Sequence, residues 1–110
     1  MSLKESLDRF VKDIQDTKGI KAVYAVDLDK MELSKKFLHQ EYNQATIKEI
    51  IKSTATILNA KDTENILIET KSERIFIGGL KDKFFLIIVA DKVINIGSLF
   101  AMLKKIKNNL

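Results

Sequence analysis

The longest purely apolar run in the sequence is Phe84–Ala90, which ends at Asp91. A transmembrane helix needs about 20 apolar residues, so this run is too short to span a bilayer. Its β-branched and aromatic residues favour a strand. Alternate residues are apolar on both sides of that strand, which is typical of a strand covered on both faces. The run therefore predicts the central strand of a sheet.

Three other stretches repeat apolar residues at intervals of three and four positions, the spacing of one helix face. They are Leu3–Ile14, residues 43–60 and the segment after Asn95, whose side chain can cap a helix N-terminus. Gly19 is predicted to end the first helix in a left-handed conformation. Gly97 is expected to let the last helix lie close against the sheet. The buried face of the second helix is predicted to consist of Ile47, Ile50, Ile51, Thr54, Ile57 and Leu58.

The remaining segments predict four more strands. Ile20–Asp27 is apolar on both sides and is also expected in the centre of the sheet. Glu32–Leu38 carries polar residues and lysines, which protect a sheet edge against pairing with other chains. Asn65–Thr70 and Arg74–Gly79 predict a hairpin around Lys71-Ser72-Glu73, with Gly78-Gly79 in the turn that follows.

Two features indicate a protein interface. The first hairpin strand holds Ile66, Leu67 and Ile68 in sequence, without a proline or an inward charge, and natural proteins cover or pair such an edge. The side of the second helix opposite its apolar stripe is mostly small, and small side chains allow another helix to approach closely. A weakly polar, solvent-exposed face is an equal alternative. The residues on this side are Ala45, Glu49, Ser53, Thr56 and Ala60.

Composition narrows the possible functions. The 110 residues are expected to form one domain, 1–110, with a net charge of +4. The basic residues are almost all scattered lysines, whereas nucleic-acid-binding proteins usually cluster them and use arginine on phosphates, so we expect no nucleic-acid partner. The charged, amphipathic start lacks a signal-peptide pattern and no segment suits membrane insertion, which favours the cytoplasm.

No residue pattern indicates catalysis. The chain has no cysteine and a single histidine, His39. Asp27 and Asp29 lack further ligands at the spacing of a metal-binding loop. Gly78-Gly79 lacks the lysine–serine pair of a phosphate loop and precedes a strand instead of a helix. We therefore predict no enzyme activity and no catalytic, cofactor-binding or metal-binding residues.

The order of elements and two segments resemble the Roadblock/dynein light chain domain family. The segments are Gly19–Asp27 and Leu86–Asp91, the latter followed by Asn95-Ile96-Gly97. Lys30 departs from the family, in which many members have glycine in that turn. The resemblance implies an α/β fold of the α+β type, order αββαβββα, related to profilin-like folds. Its five-stranded antiparallel sheet, order 2-1-5-4-3, would have the second helix on one face and the terminal helices on the other.

The resemblance also implies a function. Family members dimerise through the second helix and the third strand, and serve as platforms for small Ras-like GTPases or as light chains. We expect a non-catalytic, cytoplasmic homodimer that scaffolds or regulates a small GTPase, any activation being by positioning. The alternatives are a small-ligand sensor and a light-chain-type assembly subunit. The expected dimer or partner interface comprises Ala45, Glu49, Lys52, Ser53, Thr56, Ala60, Ile66, Leu67 and Ile68.

Overall fold

The computed structural model describes residues 3–14, 17–27, 32–38, 44–61, 65–79 and 84–108. The predicted order of helices and strands is confirmed, and their bounds differ from the predicted ones by at most one residue where both were given. The elements are α1 (Leu3–Ile14), β1 (Ile20–Asp27), β2 (Glu32–Leu38), α2 (Gln44–Lys61), β3 (Asn65–Glu69), β4 (Glu73–Gly79), β5 (Phe84–Asp91) and α3 (Ile96–Asn108). His39, Asp29 and Lys30, and the side chains of Leu58 and Ala60, lie outside the described part.

The strands form one antiparallel sheet in the order β2-β1-β5-β4-β3. β5 lies in the middle and pairs along its length with both β1 and β4. The apolar pattern explains this position, because every residue from Phe85 to Ala90 is buried. β2 and β3 are the two edges of the sheet.

The helices cover both faces of the sheet. Ile47 and Ile51 of α2 pack on one face, against a core that includes Phe85 and Ile87 of β5. Phe10 of α1 and the α3 residues Leu99 and Leu103 pack on the other face. Because successive side chains of a strand point to opposite faces, β5 contributes to both cores. The structure thus has α2 on one side of the sheet and the terminal helices on the other.

Asn95 caps α3 as the sequence predicts. Its Oδ1 accepts hydrogen bonds from the backbone N–H groups of Gly97 at 2.7 Å and Ser98 at 3.3 Å. Amides in the first turn of a helix have no carbonyl four residues earlier within that helix, so the cap satisfies donors that the helix leaves free. The helix therefore starts at a fixed position after β5.

The predictions that Gly19 ends α1 and that Gly78-Gly79 form a turn are wrong. Gly19 has the expected positive φ of 97°, but α1 ends five residues earlier, at Ile14. Gly19 instead lies in the turn into β1, where its carbonyl accepts a hydrogen bond from the Asp91 N–H at 2.9 Å. Gly78-Gly79 does not form the turn after β4, because both glycines pair with β5 as part of that strand.

The close approach of α3 to the sheet depends on Gly78, and the prediction for Gly97 is wrong. Within the described ranges, a Cβ at Gly97 would meet only Oδ1 of Asn95, at 2.9 Å, and no atom of the sheet within 4 Å. A Cβ at Gly78 would collide with Cδ2 of Leu103 and lie 3.0 Å from its Cδ1. Leu103 is buried in the core, so it has little room to move. α3 thus packs close to β4 because position 78 has no side chain.

We expect Gly78→Ala and Gly97→Ala to differ in their effect on stability. Gly78→Ala overpacks the contact with Leu103 and should lower the free energy of unfolding by about 1–3 kcal/mol. Gly97→Ala is the matched control, with a change of less than about 1 kcal/mol because alanine's better helix propensity offsets crowding at the cap. Urea denaturation measures both. An equal loss in the two variants would contradict the assignment of the close approach to Gly78.

Candidate protein-interaction site

A groove runs between α2 and the edge strand β3. Its volume is about 200 Å³. In the hairpin register Ile66 lies opposite Ile77 and Ile68 opposite Ile75, which places both β3 isoleucines on the α2 face of the sheet. The groove is therefore mainly aliphatic, with a polar rim from the helix. Its lining residues are Glu49, Ile50, Ser53, Thr54, Ile57, Ile66 and Ile68.

The structure brings together part of the interface set predicted from the sequence. Glu49, Ser53, Ile66 and Ile68 all line the groove. The other described α2 members lie on the helix but do not line the groove, and Leu67 lies on the opposite face of β3. Whether any of these residues contacts a partner stays a prediction. The α2 residues outside the groove are Ala45, Lys52 and Thr56.

Ile57 corrects the predicted buried stripe of α2. It is 40% exposed, although Ile47, Ile51 and Thr54 on the same stripe are buried as expected. Ile57 lines the groove beside β3, the outermost strand, so no further strand of the described sheet lies beyond to cover it. Helical spacing identifies the side of a helix that faces the sheet. It does not show where the sheet ends.

A second apolar surface lies on the other face of β3, and the sequence analysis did not detect it. Leu67 is 39% exposed and pairs with Phe76 of β4. Phe100 of α3 packs edge-to-face on the Phe76 ring, with centroids 4.7 Å apart and planes at 83°, and is 43% exposed. An aromatic residue beside a buried leucine in a helix has no sequence signal that separates core from rim. Only the ring contact with Phe76 shows that Phe100 lies at the edge of the core.

Polar contacts fix the end of β3 that carries Glu69. The Arg74 guanidinium donates from Nη1 to the Ile94 carbonyl at 3.0 Å, and its Nε lies 3.5 Å from Oε1 of Glu69. The longer distance is an ion pair without a hydrogen bond, and the buried Nε has no hydrogen-bond partner among the described residues. Arg74 is thus held between β3 and the turn before α3.

The described residues were compared with the requirements of a metal site and of a titrating group. No group of three or more histidine, aspartate or glutamate side chains among them could hold a metal ion. Burial raises the pKa of Tyr24, so this phenol stays neutral well above physiological pH. Tyr24 lies in the core beneath α2, where it contributes to packing.

A smaller cavity lies between α1 and α3. Its volume is about 80 Å³, and it combines three apolar side chains with Asp13, Thr17 and Lys105. Small-molecule sites usually enclose about 300–1,000 Å³, so this cavity and the α2–β3 groove are both small for a ligand pocket. No helix in the described ranges is long and apolar enough to cross a membrane.

Comparison with solved structures supports the fold that the sheet topology indicates. No protein-family model matches the sequence, and no curated protein matches it significantly. A Roadblock/LC7 domain from Streptomyces avermitilis superposes with a TM-score of 0.69 at 9% identity, over 93% of this chain and 92% of that chain. The gliding protein MglB from Thermus thermophilus gives 0.76 at 8% identity, over 97% and 87%.

A further similar structure shows MglB in a tetrameric arrangement, with a TM-score of 0.73 at 8% identity over 98% of this chain and 86% of that chain. The agreement extends over nearly the whole length of each protein. Sequence identities this low show the fold and leave the activity open. This chain has the fold of the Roadblock/LC7 domain.

Proposed function

We propose that this chain is a non-catalytic homodimeric scaffold or regulator of a small Ras-like GTPase. The observation that carries the proposal is the aliphatic groove between α2 and the edge strand β3 in a domain with the Roadblock/LC7 fold. The resemblance in sequence implies dimerisation through the same two elements. The aliphatic groove and the fold therefore support the same proposed interface, formed by α2 and β3.

Exposed aliphatic surface supports association. Ile57 and Ile68 are 40% and 37% exposed, and the partly buried Ile50 and Ile66 pack against the core on the same face of the sheet. Burial of apolar area stabilises an interface by about 25 cal/mol per Å² before the costs of association. Ser53, at the rim of the groove, is small enough for a second helix to approach closely. MglB, which has a similar fold, is known in a tetrameric arrangement, so this fold is compatible with self-association.

The GTPase partner is inferred from the family resemblance, and the exposed surface of α2 is compatible with it. Glu49 and Lys52 give this helix a charged, solvent-exposed side next to the groove. Charged rims around an apolar centre are usual in protein interfaces. Two copies paired through this region would present a continuous platform of both α2 helices.

Regulation by such a platform would rely on the catalytic groups of the GTPase. An arginine finger must reach the transferred phosphate, but the Arg74 guanidinium already binds the Ile94 carbonyl and pairs with Glu69. Arg9 lies on α1, on the face of the sheet away from α2. The N-terminal amides of α3 that could bind phosphate are occupied by Asn95. Positioning of the GTPase switch regions is therefore the mechanism we propose.

We expect Ser53→Arg to weaken the homodimer. It would place an unpaired charge at the rim of a close helix contact, where desolvation is costly. The dimer dissociation constant should rise about tenfold or more, which corresponds to about 1.4 kcal/mol. Sedimentation equilibrium measures it. Ser98→Arg on α3 is the matched control and should leave the constant unchanged. A monomer at micromolar concentration in the unmutated protein would contradict the dimer.

We expect the purified chain to retain at least one small GTPase from its own cell, more strongly in one nucleotide state. Retention is measured by pull-down with GDP and with a non-hydrolysable GTP analogue, and the chain alone should neither bind nor hydrolyse GTP. Lys52→Glu should reduce retention because it reverses a charge on the proposed platform. Lys12→Glu, the same change on α1, should not.

The outcomes separate the candidate functions. Retention of no GTPase in either state would rule out the GTPase partner, while a measured dimer would still support an assembly subunit. A small molecule bound to the purified protein would favour the sensor instead.

A further inference from the structure

Helix α3 runs along strand β4 on its face of the sheet. Three contacts at alternate positions of β4 follow one another in the same order along the turn before α3 and the helix itself. They are Arg74 with the Ile94 carbonyl, Phe76 with the Phe100 ring, and Gly78 with the Leu103 side chain. Strand β3, which pairs with the outer side of β4, therefore lies to one side of α3 and not beneath it.

The other helix on this face, α1, lies on the side of α3 that is away from β3. Met102 and Lys105 of α3 line a cavity together with Phe10 and Ile14 of α1. Residues two positions apart on a helix are about 200° apart around its axis, so Phe100 lies on the side of α3 opposite to Met102. Since α2 covers the other face of the sheet, none of the described helices lies beside Phe100.

α3 and β3 therefore form a notch, which we call the α3–β3 notch. Leu67, 39% exposed, forms its floor beside the buried Phe76, and Phe100, 43% exposed, forms its wall. Packed helices have axes about 8–10 Å apart and neighbouring strands are about 4.8 Å apart. A helix packed beside α3 would thus lie over the outer side of β3 and reach both Leu67 and Phe100. A flat surface such as a bilayer would be held away from Leu67 by α3.

The two ends of the α3–β3 notch differ in charge. At one end Glu69 lies 3.5 Å from Arg74, so the two charges balance. At the other end Lys104 follows Phe100 by four residues and therefore lies on the same side of α3. Lys104 is exposed, and no acidic side chain in the described part of the chain pairs with it. Residues 92–110 contain no aspartate or glutamate at all.

We propose that the α3–β3 notch binds an amphipathic helix of another protein, with apolar side chains on Leu67 and Phe100 and a carboxylate beside Lys104. A helix fills a groove of this kind with apolar residues at intervals of three and four positions. A complementary charge at the rim then selects the partner and its orientation. The notch lies on the face of the sheet opposite to α2, and a single copy of the chain forms it. This site is therefore separate from the proposed GTPase platform.

A defined peptide tests the site. The probe is a fluorescently labelled, alanine-based peptide of about 16 residues, long enough to form a helix, with a stripe of leucines at helical spacing flanked by glutamates. A second peptide has lysines in place of the glutamates. In fluorescence anisotropy, the unmutated chain should bind the glutamate peptide about tenfold more tightly than the lysine peptide.

Loss of either apolar contact should weaken binding of the glutamate peptide. Leu67→Ser and Phe100→Ser should each raise its dissociation constant about tenfold, because each removes an apolar anchor at the centre of the contact. Both residues are part-exposed, and circular dichroism checks that the variants fold. Val93→Ser is the control, because Val93 is 83% exposed in the turn before α3, and it should leave the constant unchanged.

A charge reversal tests the role of Lys104. Lys104→Glu should weaken binding of the glutamate peptide and strengthen binding of the lysine peptide. Lys105→Glu makes the same change on the α1 side of the helix and should leave the preference unchanged. Ser53→Arg, on the opposite face of the sheet, should not alter peptide binding even where it dissociates the dimer.

Several results would overturn the proposal. No binding of the glutamate peptide, no preference between the two peptides, or equal effects of Lys104→Glu and Lys105→Glu would each exclude the site. A smaller oligomer of Phe100→Ser in sedimentation would show that a second copy occupies the notch. Flotation of the chain with vesicles of about 30% phosphatidylserine, without peptide binding, would assign this face to a membrane. Failure of the proposed dimer or GTPase partner would leave the peptide result unaffected.

Discussion

The burial of β5 on both faces is the constraint on which the rest of the structure depends. Its alternate residues enter two separate cores, so a layer of helix must cover each face of the sheet. One face is closed by α2 and the other by the two terminal helices. β5 also needs backbone partners on both sides, which β1 and β4 provide. β1 and β4, which lie far apart in the sequence, are therefore joined through β5.

The sheet ends in two chemically different edges. β2 carries Lys35 and Lys36, and lysines on an edge discourage pairing with other strands. β3 carries isoleucine, leucine and isoleucine, and all three remain at least part-exposed beside α2 and α3. The central strands are buried on both faces, whereas β3 is the last strand of the sheet and keeps Leu67 and Ile68 more than a third exposed. The self-association that we propose would therefore use the β3 side of the molecule.

Several polar side chains that could have indicated a reactive or ligand-binding site instead stabilise the fold. Asn95 holds the first turn of α3, and Arg74 links β3 and β4 to the turn before that helix. Lys21 of β1 pairs with Glu73 of β4 at 3.0 Å, across the central strand. These contacts fix the positions of the surfaces around β3. A protein built in this way is suited to present a defined surface to a partner, which agrees with the function we propose.

The sequence by itself determined the elements, the central strand and the cap at Asn95, because these follow from local spacing and side-chain chemistry. It also indicated β3 and one side of α2 as an interface. Only the tertiary structure decided that Ile57 lies in the groove, that Phe100 forms a second apolar surface, and that Gly78 and not Gly97 admits α3. The physical reason is the same for all three. Exposure and close approach depend on where a neighbouring element ends, and residues far apart in the sequence set that position.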